Sequence, residues 1–239
     1  MLNEKSTNDA KRIQEKLRMK YRSVVPALFL ERPNRFLAGV QIGKAVETVH
    51  VKNTGRCREL LIPGAEVFLA ESDNPSRKTK YDLIAVRKEN GLLVNIDSQA
   101  PNQVVKEWLE RGKVDRIVPE YTFGASRIDF YMERGSERFL MEVKGCTLEI
   151  DGTGYFPDAP TERGVRHLSE LAKAAREGYR AVLAFVIQMD GVSSVKPNAA
   201  THPEFAAALD EARKAGVAEL FLRCHVSPDS LEIISEESF

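Results

Sequence analysis

The chain is predicted to be a two-part protein of mixed α+β and α/β class, in which a small β-barrel or twisted sheet leads into an α/β domain with a mixed sheet. Three observations predict it. Short strand-like runs broken by Gly, Pro and Asn fill residues 25–97. From Pro101 onward the pattern changes to helices alternating with strands. The charge changes sign at the same place: residues 1–96 hold 18 Lys/Arg against 11 Asp/Glu, and residues 97–239 hold 17 against 24. A basic half that meets a polyanion and an acidic half that holds cations is one reading of that split. Mutual docking of two oppositely charged domains is the other. The expected division is a basic extension over 1–24, a barrel over 25–97 and an α/β domain over 98–239.

In the extension, Ile13, Leu17 and Tyr21 recur every four residues, the spacing of a short helix with a narrow apolar stripe. Lys11, Arg12, Lys16, Arg18, Lys20 and Arg22 make it basic, which suits either a phosphate-seeking arm or a solvated surface helix or tail. Strands are predicted at Arg35–Ile42, Ala45–Val51, Ala65–Ala70, Lys80–Arg87 and Leu92–Ile96, punctuated by Gly43, Pro63-Gly64 and Asn90-Gly91. A helix follows over Pro101–Arg111, with Val104, Val105, Trp108 and Leu109 inward and Gly112 as its stop. Strands at Arg116–Val118, Arg127–Met132, Arg138–Lys144 and Thr147–Ile150 form a meander. Next come a helix over Glu162–Glu177, a strand over Arg180–Gln188, a helix over Pro203–Ala215 and a strand over Ala218–Val226. The run Ala181-Val-Leu-Ala-Phe-Val-Ile187 suits a central strand buried on both faces.

The chemistry is concentrated in one hairpin. Ile128-Asp129-Phe130-Tyr131-Met132 and Phe139-Leu140-Met141-Glu142-Val143-Lys144 are apolar segments carrying three charges, and Gly135-Ser136 between them suits a two-residue turn. That turn pairs residues whose numbers sum to 271, which sets Asp129 opposite Glu142 with Cβ atoms roughly 4.5–5.5 Å apart. Lys144 lies one pleat further along the same face. Two carboxylates this close repel unless one takes a proton or a cation sits between them. Mg2+ (or Mn2+) suits a site of carboxylates, carbonyls and waters, with Lys144 orienting a water in metal-assisted phosphodiester hydrolysis. A cross-strand ion network in which Lys144 neutralises both acids is the alternative.

An α-β-β-β-α-β order with Asp and Glu-x-Lys on adjacent middle strands resembles the PD-(D/E)xK nuclease superfamily, the restriction-endonuclease-like fold. Six ordered motifs narrow the match: Arg32-Pro-Asn-Arg-Phe36, Asn53-Thr-Gly-Arg56, Arg77-Lys-Thr-Lys-Tyr-Asp82, Ser126-Arg-Ile-Asp-Phe130, Glu142-Val-Lys144 and Gly154-Tyr-Phe-Pro-Asp-Ala-Pro-Thr-Glu-Arg-Gly164. Together they are similar to the sugar fermentation stimulation protein family over about residues 25–230. The resemblance implies an OB-like first domain, a PD-(D/E)xK-like second domain, DNA binding without sequence preference and a regulatory link to maltose metabolism. It puts Asp129, Glu142 and Lys144 in the catalytic positions, with Asp129 and Glu142 as metal ligands. Glu120 is the candidate for the superfamily's further acid, with Glu110 behind it. Ile128 replaces the Pro that often precedes the catalytic Asp, and no motif covers residues 1–23.

Expected phosphate contacts are Arg32, Arg35, Lys52, Arg56, Lys78 and Lys80 in the first domain, giving sequence-independent, salt-sensitive affinity. Phe36 and Tyr81 stand near them, as core residues or as aromatics on which bases stack. In the Gly154–Gly164 loop and the helix it leads into, Asp158, Glu162, Arg163 and His167 are within reach of the same cleft, with Arg163 and His167 on one helix face. Arg163 and His167 are expected DNA contacts. Cys57, Cys146 and Cys224 are odd in number and far apart, which indicates buried thiols instead of a disulfide framework. The sequence contains no Walker loop, Rossmann glycine fingerprint or Ser/His/Asp motif, and hence no nucleotide cofactor is expected. With no run of about 18 apolar residues and no apolar signal core, the expected location is the cytoplasm.

Overall fold

A computed structural model of the chain describes residues 19–53, 55–74 and 76–235. The first five strands are β1 (Val24–Asn34), β2 (Leu37–Ile42), β3 (Ala45–Val51), β4 (Glu66–Glu71) and β5 (Tyr81–Arg87). β2 pairs antiparallel with β1 and β3, β4 pairs antiparallel with β1 and β5, and a parallel β3–β5 contact closes the ring. The result is a five-stranded, OB-like barrel. Closure removes the exposed strand edges that an open sheet this small would present. Inward residues Phe29, Val40, Val49, Leu69 and Leu83 fill it. β6 (Leu93–Asn95) extends the sheet beside β5.

β1 is a strand the periodicity did not indicate, because Pro26 and Pro33 interrupt it. The structure accommodates both. Pro26 lies where β1 pairs with β4 alone, since pairing with β2 begins at Leu28, and Pro33 falls in an irregular stretch between Glu31 and Asn34. The helix expected in the N-terminal extension falls outside the described residues up to position 18, and from Met19 the chain is not helical: Lys20 bridges to Ser230 and Tyr21 follows it. The Tyr21 backbone N–H donates to Asp229 O at 2.7 Å in an extended segment.

The second half contains α1 (Ala100–Arg111), β7 (Arg116–Phe123), β8 (Ser126–Arg134), β9 (Glu137–Cys146), β10 (Leu148–Ile150) and β11 (Thr153–Phe156). It continues with α2 (Glu162–Arg176), β12 (Arg180–Ile187), β13 (Val195–Pro197), α3 (Pro203–Lys214), β14 (Ala218–Ser227) and β15 (Ser230–Ile233). The main sheet has the order β15-β14-β12-β9-β8-β7. β12 runs parallel to β9 and β14, and the other pairs are antiparallel, so the sheet is mixed as expected. Seven of the eight residues of β12 are buried, as a central strand covered on both faces requires. The short strands β11, β13 and β15 were not evident from the sequence. Each is four residues or fewer and carries too little alternation to be read.

α1 packs on the sheet face that presents Met141 and Val143, and α2 with α3 on the face that presents Leu140 and Leu183. α2 starts at Thr161, whose Oγ1 accepts the Gly164 N–H at 3.1 Å, and ends in Lys173 and Arg176, which complement the helix dipole. All three cysteines are buried free thiols. None of the helices among the described residues is long and apolar enough to cross a membrane.

The seam between barrel and α/β domain combines apolar packing, in which Phe68, Ile84 and Leu93 join the core formed by α1 and the main sheet, with polar contacts. The buried Gln188 amide donates to Asn95 Oδ1 at 2.9 Å and to Asp97 O at 3.1 Å, and Lys88 pairs with Glu149. Inside the barrel the buried Asp82 carboxylate takes two bonds from Arg77 (2.7 and 3.0 Å), one from Lys52 (3.1 Å) and one from His50 (3.0 Å). Burial alone raises an acid's pKa. Here the three partners outweigh it and hold Asp82 down at about 2. A depressed carboxyl pKa contributes stability that is complete above the unfolded value of 3.8 and is lost as pH falls through about 2. Replacing Asp82 by Asn strands these cations, so Asp82→Asn is expected to cost roughly 3–5 kcal/mol in urea unfolding at pH 7. The same variant loses part of the wild-type acid sensitivity between about pH 4 and pH 2.

Candidate functional site

The β8–β9 hairpin has the expected register. Arg134 pairs with Glu137 across the Gly135-Ser136 turn, and the ladder runs back through Met132–Phe139 and Tyr131–Leu140 to Phe130–Met141. Gly135 takes a positive φ of 57° there, as this kind of turn requires. The next positions along are Asp129 and Glu142. At this point the Asp129 side chain itself meets β9, and its Oδ2 accepts the Val143 N–H at 2.8 Å. Its Oδ1 accepts from Asn102 Nδ2 at 2.7 Å, a group delivered by the first turn of α1.

Glu142 is only 1% exposed. Its Oε1 receives both the Lys144 ammonium and His167 Nδ1. The other ring nitrogen of His167, Nε2, accepts from Arg163 Nε at 3.3 Å, so Nδ1 carries the proton that is donated to Glu142. Burial works against ionising either acid. For Glu142 the His167 hydrogen bond and Lys144 outweigh burial, and its pKa lies below the usual carboxylate value. For Asp129 burial dominates, the Glu142 charge reinforces it, and its pKa is raised despite Lys144, Val143 and Asn102. Two neighbouring carboxyls pushed in opposite directions differ in proton affinity, and Glu142 is the one favoured as a carboxylate.

One atom of the cluster has no protein partner. Glu142 Oε2 is buried without a hydrogen bond. A buried carboxylate oxygen left bare is costly, and a cation beside the Asp129 carboxylate would satisfy it. Among the described residues no three His, Cys, Asp or Glu side chains gather into a ready-made ligand set. Two carboxylates, with the remaining positions left to waters and substrate oxygens, match the way Mg2+ is usually held.

The other expected residues are placed as follows. Glu120 is 54% exposed, pairs with Arg127 at 2.7 Å, and is not among the groups bonded to Asp129 or Glu142. Glu110 pairs with Lys106 on the outer side of α1. The polar group that joins the pair from the preceding helix is Asn102, for which the sequence carried no signal beyond its place in the first turn of α1. His167, expected as a DNA contact, is corrected by its burial: it is 4% exposed, and its ring is held between Glu142 and Arg163. The i,i+4 spacing of Arg163 and His167 was visible in the sequence; the carboxylate beneath His167 was not. Arg163 stays at the surface with its Nε on His167.

Arg32 is a structural clamp in place of the expected phosphate contact. Its guanidinium donates to the backbone carbonyls of Arg35, Asn53, Gly55 and Arg56 at 2.7–2.9 Å. Lys52 is likewise taken up, by Asp82 and by Asp97 at 3.6 Å. Lys80 is exposed, pairs with Glu71 and lies over the Tyr81 ring, and Lys78 is exposed. Arg35 and Arg56 line a cleft of about 890 Å3 between barrel and α/β domain, together with Arg58 and the Phe156–Thr161 stretch. Its floor includes Gly145 and Pro101, the chain neighbours of Lys144 and Asn102. A Cβ on Gly145 would come within 2.2 Å of Gln188 Oε1 and 2.9 Å of Pro101 Cγ, so only glycine admits this approach. Asp158, the acid among the lining residues, accepts the Arg56 and Ala159 backbone N–H groups and is kept above its usual pKa, chiefly by burial.

His167→Ala leaves the ionised Glu142 carboxylate with Lys144 alone, and is expected to cost about 2–4 kcal/mol in urea unfolding. Adding Glu142→Gln should return part of that loss. A double variant that loses the full sum of the two single effects would show that the pair is not coupled.

Comparison with known proteins agrees with both halves of the fold. Residues 30–96 match the family model described as the SfsA N-terminal OB domain, and residues 99–230 match the sugar fermentation stimulation protein RE domain. The sugar fermentation stimulation protein homolog of Desulfitobacterium hafniense (strain DSM 10664 / DCB-2) is 54% identical over 217 residues, covering 90% of this chain and 95% of that protein. Its counterpart in Ruminiclostridium cellulolyticum is 49% identical over 219 residues, covering 90% and 96%. The structure of Pyrococcus furiosus SfsA in complex with Ca2+ superposes with a TM-score of 0.81 at 30% identity, covering 92% of this chain and 98% of that one. Barrel, mixed sheet and relatives of nearly equal length lead to one assignment: the chain belongs to the sugar fermentation stimulation protein family.

Proposed function

We propose that this protein binds DNA without sequence preference and hydrolyses phosphodiesters at a PD-(D/E)xK-type site built from Asp129, Glu142 and Lys144, with bound Mg2+ or Mn2+. The observation that carries the reading is the bare, buried Glu142 Oε2, in a cluster where the Asp129 carboxyl is already pushed towards protonation. The Ca2+ complex of the Pyrococcus furiosus relative supports a divalent ion in this family. When bound, such an ion supplies Lewis acidity and lowers the pKa of a water.

Asp129 and Glu142 would hold the ion. The Asn102 amide and the Val143 N–H fix the Asp129 carboxylate, and His167 fixes Glu142 Oε1 so that Oε2 stays available. Lys144, which lies on Glu142 Oε1, would orient an attacking water and offset charge on the phosphate. The arginines of the adjoining cleft supply phosphate affinity that does not depend on sequence. A second reading is a DNA-binding regulator of sugar metabolism that keeps the fold without the chemistry. The close Lys144–Glu142 pairing favours it, because it resembles a self-contained ion network.

Incubating purified protein with plasmid and with single-stranded DNA separates the two. Cleavage in Mg2+ or Mn2+, none in EDTA, and a fall of about a hundredfold or more in Asp129→Ala and in Lys144→Ala is the expected result. Binding without cleavage in every metal would falsify the enzymatic reading. For the DNA-binding half, Arg56→Gln and Arg58→Gln should each weaken binding equally across sequences and lower the salt slope by about one. Lys52→Gln should act mainly on stability, through Asp82.

A further inference from the structure

The cleft between the two halves discriminates more finely than a general basic surface. We propose that it is a binding site for an unpaired, single-stranded segment of DNA, with Phe36 and Arg35 as a base-stacking platform at its rim and Arg56 and Arg58 as its phosphate grips. The inference rests on the DNA-binding reading above and names the form of DNA that the site takes.

Phe36 is a large aromatic left 52% exposed at the β1–β2 turn. Its backbone is held, since Asn34 Oδ1 accepts the N–H of both Phe36 and Leu37 at 2.9 and 3.0 Å. The ring is therefore presented by an ordered turn. The Arg35 guanidinium stands 5.9 Å from its centroid, and Arg35 and Asn34 both line the cleft. An aromatic face beside a planar cation is the chemistry that stacks a base, and every base has a π-face to offer. In duplex DNA those faces are covered by neighbouring base pairs. Only an unpaired nucleotide presents them.

Charge and size agree. Four arginines and one acid line the cleft, and the acid, Asp158, is taken up by backbone N–H groups. Arg32 clamps four carbonyls of the wall, whereas Arg56 and Arg58 are exposed and no carboxylate among the described residues pairs with them. A volume of about 890 Å3 falls in the class of sites that enclose a drug-sized molecule, which admits a few nucleotides of one strand. The floor at Gly145 and Pro101 is one residue from Lys144 and from Asn102. A strand that runs through the cleft is thereby delivered to the carboxylate pair. The DNA the cleft takes in preference is accordingly a frayed end, a flap or a loop.

The test is fluorescence anisotropy on the full chain in EDTA, with a labelled single strand of about 15 nucleotides, the blunt duplex of the same sequence and the same strand as RNA. The single DNA strand should bind about tenfold or more tightly than the duplex. Phe36→Leu should weaken single-strand binding about fivefold or more and leave duplex binding within about twofold, while Phe36→Tyr restores it. Equal affinity for duplex and single strand overturns the proposal, as does Phe36→Leu that binds the single strand like wild type. Preference for the RNA strand overturns it in favour of an RNA site. Phe36-dependent single-strand binding with no cleavage in any metal sustains this proposal and sinks hydrolysis. Cleavage without any single-strand preference does the reverse.

Discussion

The acidic side chain buried in the middle of the main sheet is the constraint around which the second half is arranged. Glu142 lies among apolar neighbours where an unpaired carboxylate would be expelled or protonated. It stays ionised because Lys144 reaches it from the same strand and His167 from the helix on the same face of the sheet. That requirement fixes α2 at one height over β9. The helix itself is capped by Thr161, and Arg163, one turn ahead of His167, takes the second ring nitrogen. Asp129 is secured differently, through a β9 backbone amide and an α1 side chain. The two carboxyls thus share a neighbourhood but not a hydrogen-bond network, and their proton affinities diverge.

Electrostatics also decides what the basic half has left to offer. A surplus of cations before residue 97 suggested a surface covered in phosphate contacts. Much of it is internal: Asp82 gathers Arg77, Lys52 and His50, and Arg32 holds backbone carbonyls. The docking of opposite charges that the sequence also allowed is present across the seam in a half-buried pair, Lys88 with Glu149. The rest of the seam combines hydrogen bonds, through Gln188, Asn95 and Asp97, with apolar packing of Phe68, Ile84 and Leu93 on the α/β core. The basic groups that stay exposed at the seam are Arg35, Arg56 and Arg58, on the wall of the cleft next to the carboxylates.

Much of the fold was legible from local rules, and the failures have specific causes. The hairpin register followed from Gly135-Ser136, since a two-residue turn leaves no freedom in which residues face each other. The central position of β12 followed from an unbroken apolar run. β1 was missed because two prolines argue against a strand, and only its one-sided pairing makes them tolerable. Glu120 was expected as the superfamily's further acid from the preceding element, but it pairs with Arg127 at the sheet edge. Asn102 carried no signal, and His167 could be placed near the cleft but not on Glu142, because each lies on a helix far from the acids in sequence.

By itself the sequence determined the class of each half, the β8–β9 register as far as Phe130–Met141 and the presence of Lys144 on the Glu142 face. These depend on turn chemistry and a two-residue period, which act within a dozen positions. Only the tertiary structure decided which cations stay free, which acid keeps its charge and which helix residues hold the pair. Burial, desolvation and hydrogen bonding between distant segments depend on which surfaces come into contact, and no local pattern encodes that. Glu142 with a bare Oε2 and His167 turned away from solvent are outcomes of packing α2 and the sheet together.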